Sequence, residues 1–473
     1  MPTKRGIRSS SPSSREKTGC IVIRTICLWS EITQSRSGSI PCNQPAPPAV
    51  AFPLMIQLDP TILDRRRQRT LEAWNLTDDI VLIGGGSPIS IPGGADQTFP
   101  FQTHPEYYWL TGRQREGGVL AYDPHEGWAH FEPPLSMGEQ VWGGNQPPIG
   151  RPIEELEAWT KSRGARAVHW LGVTKYAEAD LVLREKYAHV RRSKDEAEMQ
   201  EMKRAVHATA AGHAMAKDLL RQGTTERQIQ VELEAAMYRA GADTVGYGTI
   251  VGSGPNGTLL HSTPGTRELT SGEFVVIDAG GMINGYTADV TRTHPVDNVW
   301  LDGMRDLYEA VLTTQKRAIE ACVIGAEWGE VHCLAARSLA QALNELNLIT
   351  ISADDAVENE LIALFLPHGI GHMVGLGVRD ATGPLPGRKR DIKFAGMKIR
   401  MDIPLDENYL VTVEPGLYFN KALLTSTKQR EKYKSAVNWN KIEPWIGKVG
   451  IRIEDNILVT AAGPVNVTSE IPK

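Results

Sequence analysis

The sequence predicts an α/β protein, α+β in its larger part, with a small N-terminal α/β domain over residues 55–190 and a second domain over 191–473. Three observations predict this. Short apolar runs alternate with amphipathic stretches between Asp59 and Leu171, the pattern of strands interleaved with helices. After Arg191 two helices followed by β-rich sequence occur twice over. Within the first repeat, Asn284-Gly285 separates two β-branched runs, a strong hairpin signal because a type I′ turn needs positive φ at both central positions. At 473 residues there is enough chain for two or three cores, and a net charge of -5 with interspersed signs points to neither nucleic acid nor a membrane surface. No run approaches the roughly 18 uninterrupted apolar residues of a membrane span. The five cysteines, Cys20, Cys27, Cys42, Cys322 and Cys333, lack zinc-ligand spacing; the last two fall on predicted helices, and a reducing, cytoplasmic setting fits them best.

Residues 1–54 are rich in Ser, Arg and Pro and show no sustained periodicity, so a disordered extension is expected, with Met55 as the natural beginning. Truncation to Met55 should therefore leave thermal stability and turnover unchanged; a large loss of either would show that the segment folds onto the body. Asp59-Pro60 is an N-cap followed by proline at the first helical position, opening a helix through Trp74. Ile80–Ile83 reads as a strand closed by a turn at Gly84-Gly85-Gly86, which matches no phosphate-loop pattern. Tyr107–Leu110, Gly118–Tyr122 and Ala167–Leu171 read as further strands, and Ile153–Arg163 as a helix. Phe99-Pro100-Phe101 and the Tyr/Trp cluster read mostly as core aromatics.

In the second domain, Ser193 with Glu196 forms a capping box that starts a long helix ending at Gly223. A helix over Glu226–Arg239 follows, then β-rich sequence. Helices over Met304–Cys322 and Trp328–Leu346, again followed by β-rich sequence, complete a weak internal duplication of α-α-β-β halves.

The chemistry begins at the hairpin, whose strands are Phe274–Asp278 and Tyr286–Thr293. If its turn holds, Ile283 pairs with Tyr286, and Asp278 stands opposite Thr291 and diagonal to Asp289 on one face. Two carboxylates aimed together from an apolar hairpin repel and lose hydration unless a cation lies between them; the alternative is a pair of exposed strand ends. Pro367-His368-Gly-Ile-Gly-His372 has too many glycines for a helix and reads as an irregular loop. Leu410–Tyr418 is a strand closed by Pro-Gly after Glu414. Val449–Ile457 alternates, with Arg452 and Glu454 on one face, which the sequence leaves as either functional or solvated.

In order, Asp-x10-Asp, His-Gly-x-x-His, Val-Glu-Pro-Gly and Arg-Ile-Glu-Asp resemble the Xaa-Pro aminopeptidase (aminopeptidase P) and prolidase branch of the "pita-bread" metallopeptidases, over residue 55 to the end. The resemblance implies a curved antiparallel sheet and a site for two divalent ions that bridge a hydroxide. It assigns Asp278, Asp289, His372, Glu414 and Glu454 as ligands, with Asp289 and Glu454 bridging. Four carboxylates and one imidazole suit Mn²⁺ best, with Co²⁺ or Zn²⁺ as alternatives. The resemblance further gives Glu414 as proton acceptor, His261 as donor to the developing oxyanion, and His368, Tyr418 and Arg452 as the lining of the proline site. It implies peptide substrates with proline in second position, no nucleic-acid or membrane partner, and a homodimer or homotetramer. One position departs: where the family usually has a second catalytic histidine, this chain has Arg379, which stays charged and can donate to an anion, or can instead pair with a neighbouring acid. The expected activity is removal of an N-terminal residue before proline. The rivals are a dipeptide-restricted prolidase, with Arg379 or the Arg388–Arg390 stretch receiving the free carboxylate, and a non-catalytic binding protein on the same fold.

Overall fold

The first helix among the described residues spans Pro60–Trp74: Asp59 accepts the Thr61 N–H at 2.8 Å, Pro60 occupies the first turn, and Asn75 closes the end in the left-handed conformation. The structure is a computed structural model that describes residues 58–473, apart from 143–146, 174–177, 386, 390 and 391. The extension expected over 1–54 lies outside the described residues. The helix packs beside a five-stranded sheet in which Ile80–Gly85 is antiparallel to Val119–Asp123 and parallel to Val168–Val173. Every residue of Ile80–Gly85 is buried, which is why it reads as an unbroken apolar run; it continues through two of the three glycines expected to turn.

Tyr107–Leu110 is not a strand. It lies in a helix over Pro105–Thr111, capped by His104 through the Glu106 N–H at 3.3 Å and ended by Gly112 at φ 64°. Aromatic β-propensity suggested a strand, but the proline at the first helical position and the glycine after the last residue decide the outcome. Ile153–Glu155 is a 3₁₀ turn, and the α-helix proper spans Leu156–Lys161. Phe99 is half exposed and so is not a core aromatic.

The capping box of the long helix lies two residues later than expected. Asp195 and Glu198 form it reciprocally, and the helix spans Glu196–Asp218, while Ser193 donates to the Glu407 carbonyl instead. This helix also stops short of Gly223, because Asp297 and Leu269 draw the Leu220–Gly223 segment away through backbone bonds. Helices over Glu226–Arg239, Met304–Glu320 and Trp328–Glu345 follow, leaving Cys322 just beyond a helix end. Behind the helix pairs stand antiparallel sheets: Thr291–Pro295, Phe274–Asp278 and Ile250–Ser253 in one, and Leu410–Val413, Asp455–Thr460 and Gly463–Asn466 in another. The pair Gly416–Tyr418 and Gly450–Arg452 makes a further antiparallel ribbon. The α-α-β order thus occurs in both halves. Among the described residues no helix is long and apolar enough to cross a membrane.

Candidate active site

The hairpin has the expected register. Asn284 and Gly285 take φ of 51° and 83°, Ile283 pairs with Tyr286, and Asp278 pairs with Thr291. It is nevertheless interrupted, its strands being Phe274–Asp278, Gly281–Ile283, Tyr286–Thr287 and Thr291–Pro295. At the break the backbones press together: a Cβ on Gly280 would stand 1.7 Å from the Ala288 carbonyl oxygen. Asp289 falls in this break, and its main chain is held by the Asn456 side chain, which accepts from its N–H at 3.1 Å and donates to its carbonyl at 2.6 Å.

His372 sits on the irregular loop expected for it. Its Nδ1 donates to the Met373 carbonyl at 2.8 Å, which leaves the Nε2 lone pair facing Asp289 at 3.4 Å and Glu414 at 3.9 Å. Ligand atoms of Asp289, His372 and Glu454 lie within 4.8 Å of one another, all three residues buried. Glu414 and Asp278 flank this group. The Arg452/Glu454 face is buried against the site rather than solvated.

Arg452 organises one wall. It donates to Asp278 Oδ2 at 2.6 Å, to Tyr418 Oη at 2.9 Å and to Thr291 Oγ1 at 3.1 Å. Thr291 in turn donates a hydrogen bond to Glu454 Oε2 at 2.7 Å, and Tyr418 stands 3.0 Å from His368 Nε2. Since His368 Nδ1 donates to the Gly369 carbonyl, Tyr418 donates to Nε2, and the ring is neutral; burial first, then Arg452, depresses it to about 3. Tyr247 completes Asp278 by donating at 2.8 Å.

Burial pushes the Glu414 carboxyl up to about 7, with Asp289 and Asp278 adding to the rise while His372 and Arg452 oppose it. Burial likewise raises Asp278 and Glu454, and the other carboxylates raise both further. So many buried acids with one guanidinium among them could hold a divalent cation: hard oxygens, one imidazole, and unneutralised charge.

These residues floor a cleft of about 490 Å³ that His261, His368, Arg379 and Arg400 also line. Arg379 does not pair with its neighbour Asp380, which is taken by Arg191 and Lys194, and Arg379 carries no ion pair among the described residues. Arg388 is no carboxylate receiver, being bound to Glu327 at 2.7 Å and Asp402 at 2.9 Å; Arg390 lies outside the described residues. Sequence reasoning missed Tyr247, Thr291, Asn456 and Arg400. Thr291 alone carried a signal, through its register opposite Asp278.

Residues 200–461, more than half of the chain, match metallopeptidase family M24. The chain belongs to metallopeptidase family M24. The resemblance drawn from the motifs therefore holds at family level, and the chain is a hydrolase of that family. It is 27% identical over 420 residues to a probable Xaa-Pro aminopeptidase of Tuber melanosporum, covering 84% of this chain and 90% of the relative. To one of Aspergillus flavus it is 29% identical over 423 residues, covering 81% and 86%. Aminopeptidase P from E. coli with the inhibitor Pro-Leu superposes with a TM-score of 0.72 at 24% identity, covering 88% of this chain and 97% of that one. Pseudomonas aeruginosa aminopeptidase PepP does so at 0.70 and 22%, covering 87% and 96%. These structures show the fold, which is the one expected.

Proposed function

We propose that this M24 chain removes the N-terminal residue from peptides whose second residue is proline, using two divalent ions held by Asp278, Asp289, His372, Glu414 and Glu454. The observation that carries the reading is the buried acid–imidazole cluster on the floor of an open cleft, in a chain whose relatives are named probable Xaa-Pro aminopeptidases. Mn²⁺ suits the oxygen-rich set best, with Co²⁺ or Zn²⁺ as alternatives. Such ions, when bound, would supply Lewis-acid polarisation of the scissile carbonyl and would lower the pKa of the attacking water.

The chain's own groups do the rest. Glu414, on the floor of the cleft, accepts the proton of the attacking water and passes it to the leaving proline nitrogen. His261 is depressed by burial and by Arg452, so it is neutral at pH 7 and donates one N–H to the developing oxyanion. His368, Tyr418 and Arg452 form a fixed wall against which the proline ring packs. Cys322 and Cys333 are free thiols, which supports the reducing, cytoplasmic setting. The implied homodimer or homotetramer is testable by size-exclusion chromatography with light scattering.

Arg379 and Arg400 favour a second reading, a preference for Xaa-Pro dipeptides. Both guanidinium groups line the cleft, and burial first, then the charge of Arg379, holds Arg400 below the ordinary guanidinium range against the opposing pull of Glu414, Asp289 and Glu454. The free carboxylate of a dipeptide would offer these two cations a partner. The deciding experiment compares Xaa-Pro dipeptides with Xaa-Pro-Xaa peptides in added Mn²⁺; no cleavage of either class by the loaded chain would overturn the function. Arg379→Ala is expected to raise KM for dipeptides by roughly 10- to 100-fold, the worth of one charge-assisted hydrogen bond. An equal fall in kcat across all peptides would place Arg379 on the oxyanion instead.

A further inference from the structure

The carboxylate of Asp380 is fully enclosed and both of its oxygens are engaged. Arg191 Nη2 donates to Oδ1 at 2.5 Å, Lys194 Nζ to Oδ2 at 2.7 Å, and the Leu376 N–H to Oδ2 at 3.0 Å. Both side chains of the Lys194–Asp380 pair are completely inaccessible to solvent. The fit is tight, since a Cβ on Gly375 would stand 2.8 Å from Lys194 Cε and 2.9 Å from Asp380 Oδ2. Arg192 adds a bond to the Ala381 carbonyl at 3.0 Å. The segment 191–195 is in turn tied to the N-terminal helix Pro60–Trp74, because Arg66 pairs with Asp195 at 2.7 Å and donates to the Trp109 carbonyl at 3.1 Å. A chain of buried and partly buried bonds therefore runs from that helix, through residues 191–195, to the short loop from Leu376 to Ala381 whose Arg379 lines the cleft.

We infer that Asp380 is a positioning residue: anchored by Arg191 and Lys194, it fixes the Leu376–Ala381 loop and so aims Arg379 at the substrate. The geometry explains why an arginine that makes no ion pair of its own can hold a defined place. Its neighbour's carboxylate stakes the loop at both ends, through the Leu376 N–H on one side and the cations from 191–194 on the other. A buried carboxylate between two buried cations is costly to break from one side only, so the anchor is stiff. This inference rests on the role given to Arg379 above.

The test uses the full chain with Mn²⁺ and two readouts. In Asp380→Asn, amide hydrogen exchange over residues 374–381 is expected to accelerate at least about tenfold, while the helices Met304–Glu320 and Trp328–Glu345 exchange as in the wild type. Its kinetics should reproduce the peptide-dependent pattern of Arg379→Ala, and the double variant should be no worse than Arg379→Ala alone. Lys194→Met, which removes one anchor and keeps the other, should show the same local exchange to a smaller degree and serves if Asp380→Asn does not fold. Exchange that spreads through the helices, additive losses in the double variant, or an unchanged loop would each overturn the inference. A wild type that cleaves no Xaa-Pro peptide, with exchange still confined to 374–381, would remove the functional reading and leave the positioning role supported.

Discussion

Asp289→Ala is expected to lower kcat/KM for Xaa-Pro peptides by at least about three orders of magnitude, because Lewis-acid stabilisation of developing charge supplies several kcal/mol and each 1.4 kcal/mol is about tenfold. The fold should survive. Asp289 is held through its main chain by Asn456, and that contact does not depend on its side chain. Its carboxylate faces His372 at 3.4 Å and adds to the repulsion that raises Asp278, Glu414 and Glu454. Removing it from the metal-free chain relieves that repulsion, so the metal-free variant should melt no lower than metal-free wild type. Elemental analysis should show bound Mn²⁺ reduced, since this side chain and those of His372 and Glu454 bring ligand atoms within 4.8 Å of one another. Full activity in Asp289→Ala, or in wild type after exhaustive chelation, would sink the metal assignment.

What the sequence could show followed local rules. The Asn284-Gly285 turn admits one register, so Asp278 opposite Thr291 was legible in the sequence. The glycines between His368 and His372 excluded a helix, and the loop they form points both rings into the site. The break at Asp289 was not legible, because it depends on Asn456 reaching across 167 residues of sequence. The helix at Pro105–Thr111 was signalled by His104-Pro105 and Gly112, but its four consecutive buried large residues resemble a strand interior. Arg400 had no pattern at all: it follows a short two-stranded ribbon and reaches the cleft only through tertiary packing. Asp380 looked like a partner for Arg379 because it is adjacent in sequence. Its true partners lie 189 and 186 residues away, and buried cations that cannot otherwise be satisfied outcompete an exposed neighbour.

Glu414→Gln should separate the cost of the site from its use. In the metal-free chain the Glu414 carboxyl is raised from 4.5 to about 7 by burial and by the neighbouring acids. Below about pH 4.5 the group is protonated in both folded and unfolded chains and destabilises neither. As pH rises toward about 7 the unfolded chain ionises while the folded one resists, so its contribution to stability falls by up to about 1.4 kcal/mol per unit, about 3 kcal/mol in all. Asp278 and Glu454 are raised too and act in the same direction. Buried histidines held low, His213 at about 3 and His294 and His332 at about 4, act oppositely below their ordinary value, so the total melt is not diagnostic. The difference between metal-free wild type and metal-free Glu414→Gln removes them. Denaturant melts from about pH 5 to about pH 8 should show the variant gaining on wild type as pH rises, by about 3 kcal/mol, and levelling above about pH 7. Added Mn²⁺ should reverse the order, because it binds the folded wild type with its acids ionised and finds one ligand fewer in the variant. A difference that stays flat, or that grows toward acid pH, would mean that Glu414 is not the strained acid of this cluster.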